Sequence, residues 1–337
     1  MHVFISGGAG FIGSHLAAHH LAKGDKVHVL DNLSTGSRDN LIPFSGNRDF
    51  QFTHDDIITW SDLGSAVAWA DRVYHLAAVV GVKRVLEDPV RVMSTNMAGT
   101  ERLLRAADKD VWKPQVLLAS SSEVYGFNDD SPYSEKDALV FASGGRLRWS
   151  YALTKLADEY LAFAYHRGHG VDVKIARLFN TVGPRQVGRY GMVVPRFVQQ
   201  AVREEPITVF GDGQQTRSFC DVRDTVVALD KLASCPEAAG EAVNVGNDQE
   251  ISIEELAQLV RRRADSRSPI EHISYGEAYG EEFEDIRRRR PLLDKLAGYT
   301  NFIPQWTLEQ TIDDLIADER DKLELEFQQC TARKFGN

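Results

Sequence analysis

Short apolar runs and longer amphipathic stretches alternate along the first half of this 337-residue chain. Between the runs, apolar residues recur at helical spacing, most clearly at 90–108 and 149–167. The apolar runs predict buried strands at residues 2–6, 26–31, 50–54, 72–77, 115–121 and 173–179. Because strands and helices alternate, the sequence predicts an α/β fold with a doubly wound parallel sheet.

This rhythm changes after "RLFNTVGPR" (177–185), where proline, glycine and charged residues become more frequent. "AVNVGN" (242–247) predicts a late strand that returns to the sheet, and the remainder predicts a smaller, mostly helical lobe. In open α/β sheets, ligands bind beyond the carboxyl ends of the strands, so we expect the site beneath that lobe. The expected division is a nucleotide-binding domain at 1–180 with a returning segment at about 222–247, and a substrate lobe from 181–221 and 248–330.

The N-terminal stretch "HVFISGGAGFIGSHLA" (2–17) places a glycine-rich turn between a predicted strand and a predicted helix. Gly8, Gly10 and Gly13 fit the pattern G-x-G-x-x-G, and Gly7 replaces Gly8 in a variant with two-residue gaps. Glycines let the backbone approach a pyrophosphate, and the helix N-terminus offers unpaired N–H groups to that anion. Asp31 ends the second predicted strand, where a carboxylate suits a ribose and repels a 2′-phosphate. The pattern predicts a Rossmann-type NAD site; the alternative is a glycine-rich turn without a ligand.

Composition narrows the class of protein. The formal charge of −10 argues against nucleic acid as a partner. The longest apolar stretch, around "VYHLAAVVGV", is too short to span a bilayer, and a first strand at His2 leaves no room for a signal peptide. Cys220, Cys235 and Cys330 are widely spaced, which indicates neither a disulfide framework nor a metal site. We therefore expect a cytoplasmic enzyme without a metal.

A serine-rich strand end, "SSSEVYG" (120–126), precedes the helical pattern "RWSYALTK" (148–155). Tyr151 and Lys155 are four residues apart, so they share one face of a helix. An ammonium group beside a phenol is expected to lower the pKa of the tyrosine toward neutrality. Such a tyrosine can take a proton from a sugar hydroxyl while a hydride passes to a nicotinamide, and Ser121 can hold the same oxygen. The alternative is that Tyr151 is merely a packed helix residue.

These motifs resemble the extended short-chain dehydrogenase/reductase family, which includes nucleotide-sugar epimerases, dehydratases and decarboxylases. The resemblance runs through "GGAGFIG", "DNLSTG", "YHLAA", "TNMAGT", "SSSEVYG", "YALTK", "RLFNTVGPR" and "GDGQQTRSF". It implies that Ser121, Tyr151 and Lys155 are catalytic and that Asn180 and Arg217 hold the diphosphate of a nucleotide-sugar substrate. It also implies that NAD stays bound and that Tyr151 and Lys155 contact it. The other residues implied for the NAD site are Gly7, Gly10, Phe11, Ile12, Gly13, Asp31, Asn32, Asp56 and Ala77.

Within that family, Ser122-Glu123 followed by Val-Tyr-Gly is similar to UDP-glucuronate decarboxylases. "RWSYALTK" (148–155) is similar to the tyrosine helix of the decarboxylase of aminoarabinose synthesis and of UDP-apiose/UDP-xylose synthases. Ser122 and Glu123 stand where 4,6-dehydratases carry an Asp-Glu pair, and without the aspartic acid no group expels water from carbon 6. "YGEEFEDIRRRRP" (279–291) is similar to a decarboxylase segment that places an arginine near the sugar carboxylate, which maps to Arg289. Four consecutive arginines can instead form a solvated face, and Glu123 can simply cap a loop. Partial burial is expected to raise the pKa of Glu123 enough for proton transfer.

The expected reaction is therefore oxidation at carbon 4 of UDP-glucuronate, loss of carbon dioxide, and reduction to UDP-xylose or release of the 4-keto-pentose. One alternative is a UDP-hexose or UDP-hexuronate 4-epimerase, which needs only Ser121, Tyr151 and Lys155. Another is a non-catalytic nucleotide-sensing protein on the same fold. Residues 182–197 are expected to form the loop that faces the substrate.

A homodimer is also expected. In the resembled family, the helices that correspond to 90–108 and 149–167 pair into a four-helix interface between subunits. Their apolar residues exceed what one helix face against the sheet requires. The residues in question are Val92, Leu103, Leu104, Leu156, Leu161 and Phe163.

Overall fold

The computed structural model describes residues 1–81, 85, 87–109, 113–128, 131–142, 146–188, 192–279 and 286–335. In this part of the chain, seven strands form one parallel sheet at the centre of the fold. They are β1 (His2–Ser6), β2 (Lys26–Asp31), β3 (Phe50–His54), β4 (Arg72–His75), β5 (Gln115–Ser121), β6 (Val173–Leu178) and β11 (Ala242–Val245). Their order across the sheet is β11-β6-β5-β4-β1-β2-β3, so the chain runs outward from β1 in both directions.

Helices cover both faces of this sheet. The α-helices are α1 (Phe11–Ala22), α2 (Leu63–Trp69), α3 (Pro89–Ala107), α4 (Ser150–His169), α5 (Val193–Val202), α6 (Val222–Ala233), α7 (Ile253–Arg263), α8 (Tyr275–Tyr279), α9 (Asp294–Thr300) and α10 (Leu308–Phe335). Short 3₁₀ helices span Arg38–Phe44, Ser122–Tyr125, Leu147–Trp149 and Pro236–Ala238. The predicted doubly wound α/β class is therefore confirmed, and the helical patterns at 90–108 and 149–167 correspond to α3 and α4.

The apolar runs produce a sheet that is buried on both faces. Successive side chains of a strand point to opposite faces, so Ile5 packs with the α1 and α6 side and Phe4 with the side of α2, α3 and α4. Both side chains are fully buried. The strand bounds match the prediction closely, except that β4 ends at His75 rather than at residue 77.

The later part of the chain adds three small sheets and a second apolar core. Strand β7 (Thr181–Val182) pairs with β10 (Cys220–Asp221), and β8 (Ile207–Phe210) pairs with β13 (Ile270–Ile273). A third sheet has the order β12 (Glu250–Ser252), β9 (Thr216–Ser218), β14 (Arg288–Arg289). Helices α5, α7 and α10 bury a separate apolar cluster against these strands. Among the residues described, no helix is both long and apolar enough to cross a membrane.

Candidate functional site

A cleft of about 610 Å³ opens at the carboxyl ends of the central strands. Its walls come from the glycine turn, from β5 and α4, and from the segments that follow β6. The cleft is lined by every residue that the sequence nominated for a site: Gly7, Gly10, Phe11, Ile12, Gly13, Asp31, Asn32, Asp56, Ala77, Ser121, Ser122, Glu123, Tyr151, Lys155, Asn180, Arg217 and Arg289. Their convergence in one cleft is a property of the tertiary fold, because they are spread over nearly 300 positions of the chain.

The glycine turn has no room for side chains. Gly7 has a φ of +75°, and a Cβ there would lie 2.7 Å from the backbone nitrogen of Ala77. A Cβ on Gly13 would lie 2.3 Å from the Gly7 carbonyl oxygen. Helix α1 begins directly after Gly10, and no side chain in the described part of the chain caps its first N–H groups. The turn therefore presents bare backbone donors to the cleft, which fits the pyrophosphate of a dinucleotide.

Three polar side chains lie at the outer end of this half of the cleft. The Asp31 carboxylate accepts hydrogen bonds from the Ala9 and Leu33 backbone N–H groups at 3.0 and 2.8 Å. Burial nevertheless raises the pKa of Asp31 above its ordinary value. Asn32 donates to Asp56 at 2.8 Å, so the two side chains form one edge of the cleft. This arrangement fits an adenosine ribose and is unfavourable to a 2′-phosphate.

Strand β5 ends in the serines that carry the predicted chemistry. The Ser121 hydroxyl accepts a hydrogen bond from the Glu123 N–H at 3.2 Å and so caps the short helix Ser122–Tyr125. The same hydroxyl is hydrogen-bonded to the Tyr151 phenol. Ser122 is buried under this turn. The turn at the strand end thus brings Ser121 and Glu123 to the cleft. Tyr151 reaches the same place from α4.

In this structure, Lys155 does not lower the pKa of Tyr151 as the sequence suggested. Its Nζ donates to the Ala119 carbonyl at 2.9 Å and lies 3.7 Å from Asp158 Oδ2. Burial, reinforced by the nearby Glu123 carboxylate, raises the pKa of Tyr151 above its ordinary value, and the Ser121 hydrogen bond offsets this only in part. The prediction of a pKa near neutrality is therefore wrong for this structure, because the ammonium group is bound to the β5 backbone.

Glu123 lies between two guanidinium groups. Arg289 Nη1 donates to Glu123 Oε1 at 2.7 Å, and Arg148 Nη1 lies 3.8 Å from Oε2. Burial by itself would raise the pKa of Glu123, but the two arginines outweigh it, so the pKa lies below its ordinary value. The prediction of a raised pKa is wrong, since partial burial comes together with two cations. Glu123 is neither a simple loop cap nor a neutral acid in this structure.

Strand geometry separates Arg289 from its neighbours. Arg288 forms an ion pair with Glu250 at 2.6 Å, and Arg290 Nη1 lies 3.7 Å from the same carboxylate. Because side chains alternate along β14, Arg289 points the other way, into the cleft, and is 8% exposed. The Tyr133 N–H donates to the Arg290 carbonyl at 2.8 Å, which holds this segment beside the site. The acidic positions at 281–285 lie outside the described residues.

Asn180 and Arg217, which were predicted to hold the diphosphate of the substrate, also line the cleft. The Asn180 side chain donates to the Ser218 carbonyl at 2.9 Å, and Arg217 donates to the Thr216 carbonyl at 2.8 Å. Arg217 is paired in register with Arg289 across β9 and β14. Both guanidinium groups therefore line the same stretch of wall.

Sequence reasoning missed several residues of this wall. Arg148 stacks on the Trp149 ring at 4.5 Å, and Arg196 lies 3.9 Å from the centre of the Phe210 ring. Both arginines line the cleft. Arg148 could have been named from the sequence, because it begins the motif "RWSYALTK" three residues before Tyr151, in the short 3₁₀ helix Leu147–Trp149. Arg196 falls in the segment 182–197 that was expected to be a loop, but from Val193 onward this segment is helix α5. The segment lines the cleft in part, through Val182, Gln186 and residues 192–196.

Charge divides the cleft into two halves. Among its described lining residues, Asp31, Asp55 and Asp56 lie at the glycine-turn end, whereas the other end combines a single carboxylate, Glu123, with several arginines. Those arginines are Arg148, Arg196, Arg217 and Arg289. In a protein whose net charge is −10, such a concentration of positive charge fits a strongly anionic ligand.

The model of the NAD dependent epimerase/dehydratase family matches residues 3–246. The chain belongs to that family. Membership confirms the predicted enzyme class and NAD as the cofactor. A UDP-N-acetyl-alpha-D-glucosaminuronate decarboxylase of Bacillus cytotoxicus is 38% identical over 314 residues, which cover 93% of this chain and 95% of that relative. UDP-glucuronic acid decarboxylase 1 of Arabidopsis thaliana is 34% identical over 323 residues, 96% of this chain and 71% of its own length.

The architecture is also similar to that of solved enzyme structures. UDP-glucuronic acid 4-epimerase from Bacillus cereus, solved in complex with UDP-glucuronic acid and NAD, superposes with a TM-score of 0.84. It is 27% identical in sequence, and the match covers 96% of this chain and all of that one. The chain is thus similar both to decarboxylases and to an epimerase, the two kinds of enzyme that the sequence left open.

Proposed function

We propose that this chain is an NAD-dependent decarboxylase of a UDP-linked hexuronate, with UDP-glucuronate as the first candidate substrate. The observation that carries the proposal is the Glu123–Arg289–Arg148 cluster beside Ser121 and Tyr151. A 4-epimerase needs no group devoted to carbon 6, whereas a decarboxylase must orient the carboxylate there. The similarity to decarboxylases over more than nine-tenths of the chain supports the same choice.

The first step assigned to the chain is proton removal from the hydroxyl on carbon 4. When bound, NAD supplies a hydride acceptor whose nicotinamide ring carries a positive charge. Tyr151 takes the hydroxyl proton, and Ser121 hydrogen-bonds the same oxygen. Lys155 of α4, which lines the same cleft and whose Nζ donates to the Ala119 carbonyl of β5, is assigned the second positive charge that stabilises the phenolate.

The second step is loss of carbon dioxide. A ketone at carbon 4 is β to the carboxylate, so the electrons of the breaking carbon–carbon bond pass into an enolate. Ser121 and Tyr151 hydrogen-bond the enolate oxygen until carbon 5 takes up a proton, after which the hydride removed in the first step returns to carbon 4. Arg289 and Arg148 orient the substrate carboxylate, and Glu123 keeps the two guanidinium groups in position until that carboxylate arrives.

The relatives differ in the substituent on carbon 2 of the sugar that their names give. The Bacillus cytotoxicus relative is named for a sugar with an N-acetyl group, whereas the Arabidopsis relative is named for glucuronic acid. Both sugars are therefore tested as substrates, because they differ in the substituent on carbon 2. A UDP-hexuronate 4-epimerase is the second candidate function, supported by the likeness to the Bacillus cereus epimerase.

The deciding experiment incubates the purified protein with UDP-glucuronate, with UDP-N-acetylglucosaminuronate and, as a control without a carboxylate, with UDP-glucose. Products are identified by mass spectrometry after chromatography. We expect one of the acidic sugars to lose the mass of carbon dioxide. An unchanged mass with a new retention time assigns the 4-epimerase, and no conversion of any nucleotide sugar refutes both enzyme assignments.

We also propose that residues 181–221 and 248–330 act as the substrate lobe and that two copies associate through α3 and α4. Of the residues first considered for the interface, Val92, Leu103 and Leu104 are buried in the subunit's own core, which corrects that expectation. Other apolar side chains on these helices are exposed and support the dimer instead. They are Val90, Met93 and Met97 on α3 and Leu153 and Tyr160 on α4.

We propose a cytoplasmic location as well. The described cysteines, Cys220 and Cys235, are free thiols, which suits a reducing compartment.

A further inference from the structure

A buried carboxylate that the proposed reaction does not use lies directly behind Lys155. Asp158 is three residues farther along α4, and its side chain is 1% exposed. Its Oδ2 lies 3.7 Å from Lys155 Nζ, whose own side chain is 3% exposed. Both side chains are therefore buried, and Lys155 lines the cleft whereas Asp158 is not among the residues described as lining it.

We propose that Asp158 is a positioning residue of the catalytic set, which acts through Lys155 by holding its ammonium group charged and drawn back against the Ala119 carbonyl. The proposal rests on the proposed function, in which Lys155 assists Tyr151. A positive charge without a nearby counter-charge is strongly disfavoured inside a protein. Some carboxylate must therefore compensate Lys155.

The other nearby carboxylates are already committed to arginines. Glu159, the next residue on α4, accepts hydrogen bonds from two nitrogens of Arg177 at 2.9 and 2.8 Å and from the Ser120 hydroxyl at 2.5 Å. Glu123 pairs with Arg289. Among the described residues, Asp158 is the carboxylate that remains for Lys155.

The polar groups of α3 and β4 near Asp158 add no charge to its surroundings. The Thr100 hydroxyl of α3 lies beside the Asp158 carboxylate and is hydrogen-bonded to His75 Nε2 at 3.0 Å. The other ring nitrogen, His75 Nδ1, is hydrogen-bonded to the Ser6 hydroxyl at 2.7 Å. Burial lowers the pKa of His75 to about 3, so this β4 side chain is neutral. The charged groups near Asp158 are thus Lys155 and, on its own helix, Glu159, which forms an ion pair with Arg177.

The two opposed pKa shifts agree with this geometry. Burial raises the pKa of Asp158 to about 6, against the attraction of Lys155. Burial also lowers the pKa of Lys155, and Asp158 opposes that shift. Removing the Asp158 charge should therefore let Lys155 lose its proton at a lower pH.

The test uses Asp158→Asn, which keeps the size of the side chain and removes its charge. The basic limb of the turnover profile should move to lower pH by at least about one unit, because the charged form of Lys155 is lost earlier. The variant should also unfold several degrees lower at neutral pH. Since the folded-state pKa of Lys155 is then depressed, this deficit should shrink as the pH rises toward the ordinary pKa of lysine.

Two comparisons separate this role from a merely structural one. Asp172→Asn removes a carboxylate from another buried lysine, Lys174, outside the described lining of the cleft, and should leave the turnover profile in place. In a Lys155→Met background, Asp158→Asn should raise the unfolding temperature rather than lower it, because an unpaired buried carboxylate disappears. This thermal cycle needs no substrate, so it stands even if the proposed reaction fails.

An unmoved pH profile together with a pH-independent loss of stability would overturn the proposal. If Asp158→Asn does not fold, recovery of folding in the double variant with Lys155→Met supports it, and failure of the double variant overturns it.

Discussion

Removing the Arg289 charge tests the proposed decarboxylase directly. At 2.7 Å from Glu123 Oε1, and with an effective dielectric constant of about 20, the Arg289 charge contributes a Coulomb attraction of roughly 6 kcal/mol as an upper limit. A hydrogen bond between charged groups has a net value of only about 1.5–3 kcal/mol, because the groups are solvated when apart. Arg289→Met should remove one hydrogen bond of this kind between the guanidinium group and the substrate carboxylate. We therefore expect the dissociation constant of UDP-glucuronate to rise by roughly 10- to 150-fold.

The chemical step should be affected differently from binding. Oxidation at carbon 4 depends on Ser121, Tyr151 and Lys155, which the variant keeps. Loss of carbon dioxide also needs the carboxylate held in a fixed orientation, and only Arg148 remains for that purpose. At saturating substrate, carbon dioxide release should be slowed by at least about tenfold more than the first hydride transfer. Reduced nicotinamide should then accumulate.

The assay follows nicotinamide absorbance and carbon dioxide release in a single turnover under saturating substrate. Arg288→Met is the matched control, because the neighbouring side chain points to Glu250 on the other face of the strand. The control should release carbon dioxide at the wild-type rate. Equal slowing of both steps in Arg289→Met, or no effect on either, would refute the assignment of Arg289 to the carboxylate.

Further predictions concern the base, the cofactor and the assembly. Tyr151→Phe should keep the fold and NAD binding but lose turnover by at least about 10²-fold, and near-normal turnover would remove Tyr151 as the base. Calorimetry should find tighter binding of NAD than of NADP, because the buried Asp31 carboxylate repels a 2′-phosphate; equal affinities would contradict this reading. Light scattering at micromolar concentration should give the mass of a dimer, and Met97→Glu, which places a charge on the exposed α3 face, should give that of a monomer.

The sequence by itself determined the elements and the local motifs. Strand and helix periodicity reflects which side chains a short segment buries, so β1, the glycine turn and α1 could be predicted from consecutive residues. Tyr151 and Lys155 followed from helical spacing in the same way. The residues of the cleft were predicted because family motifs mark positions whose roles depend on local geometry.

Only the tertiary structure decided which charges meet. Glu123 and Arg289 are 166 positions apart, and their 2.7 Å contact depends on β14 pairing with β9 beside the end of β5. That contact lowers the pKa of Glu123, where burial alone had predicted the reverse. Helical spacing placed Lys155 near Tyr151 but could not show that its ammonium group binds the Ala119 carbonyl beside Asp158. Electrostatic interactions act through space and depend on burial, so their sign follows from the folded arrangement and not from the order of residues.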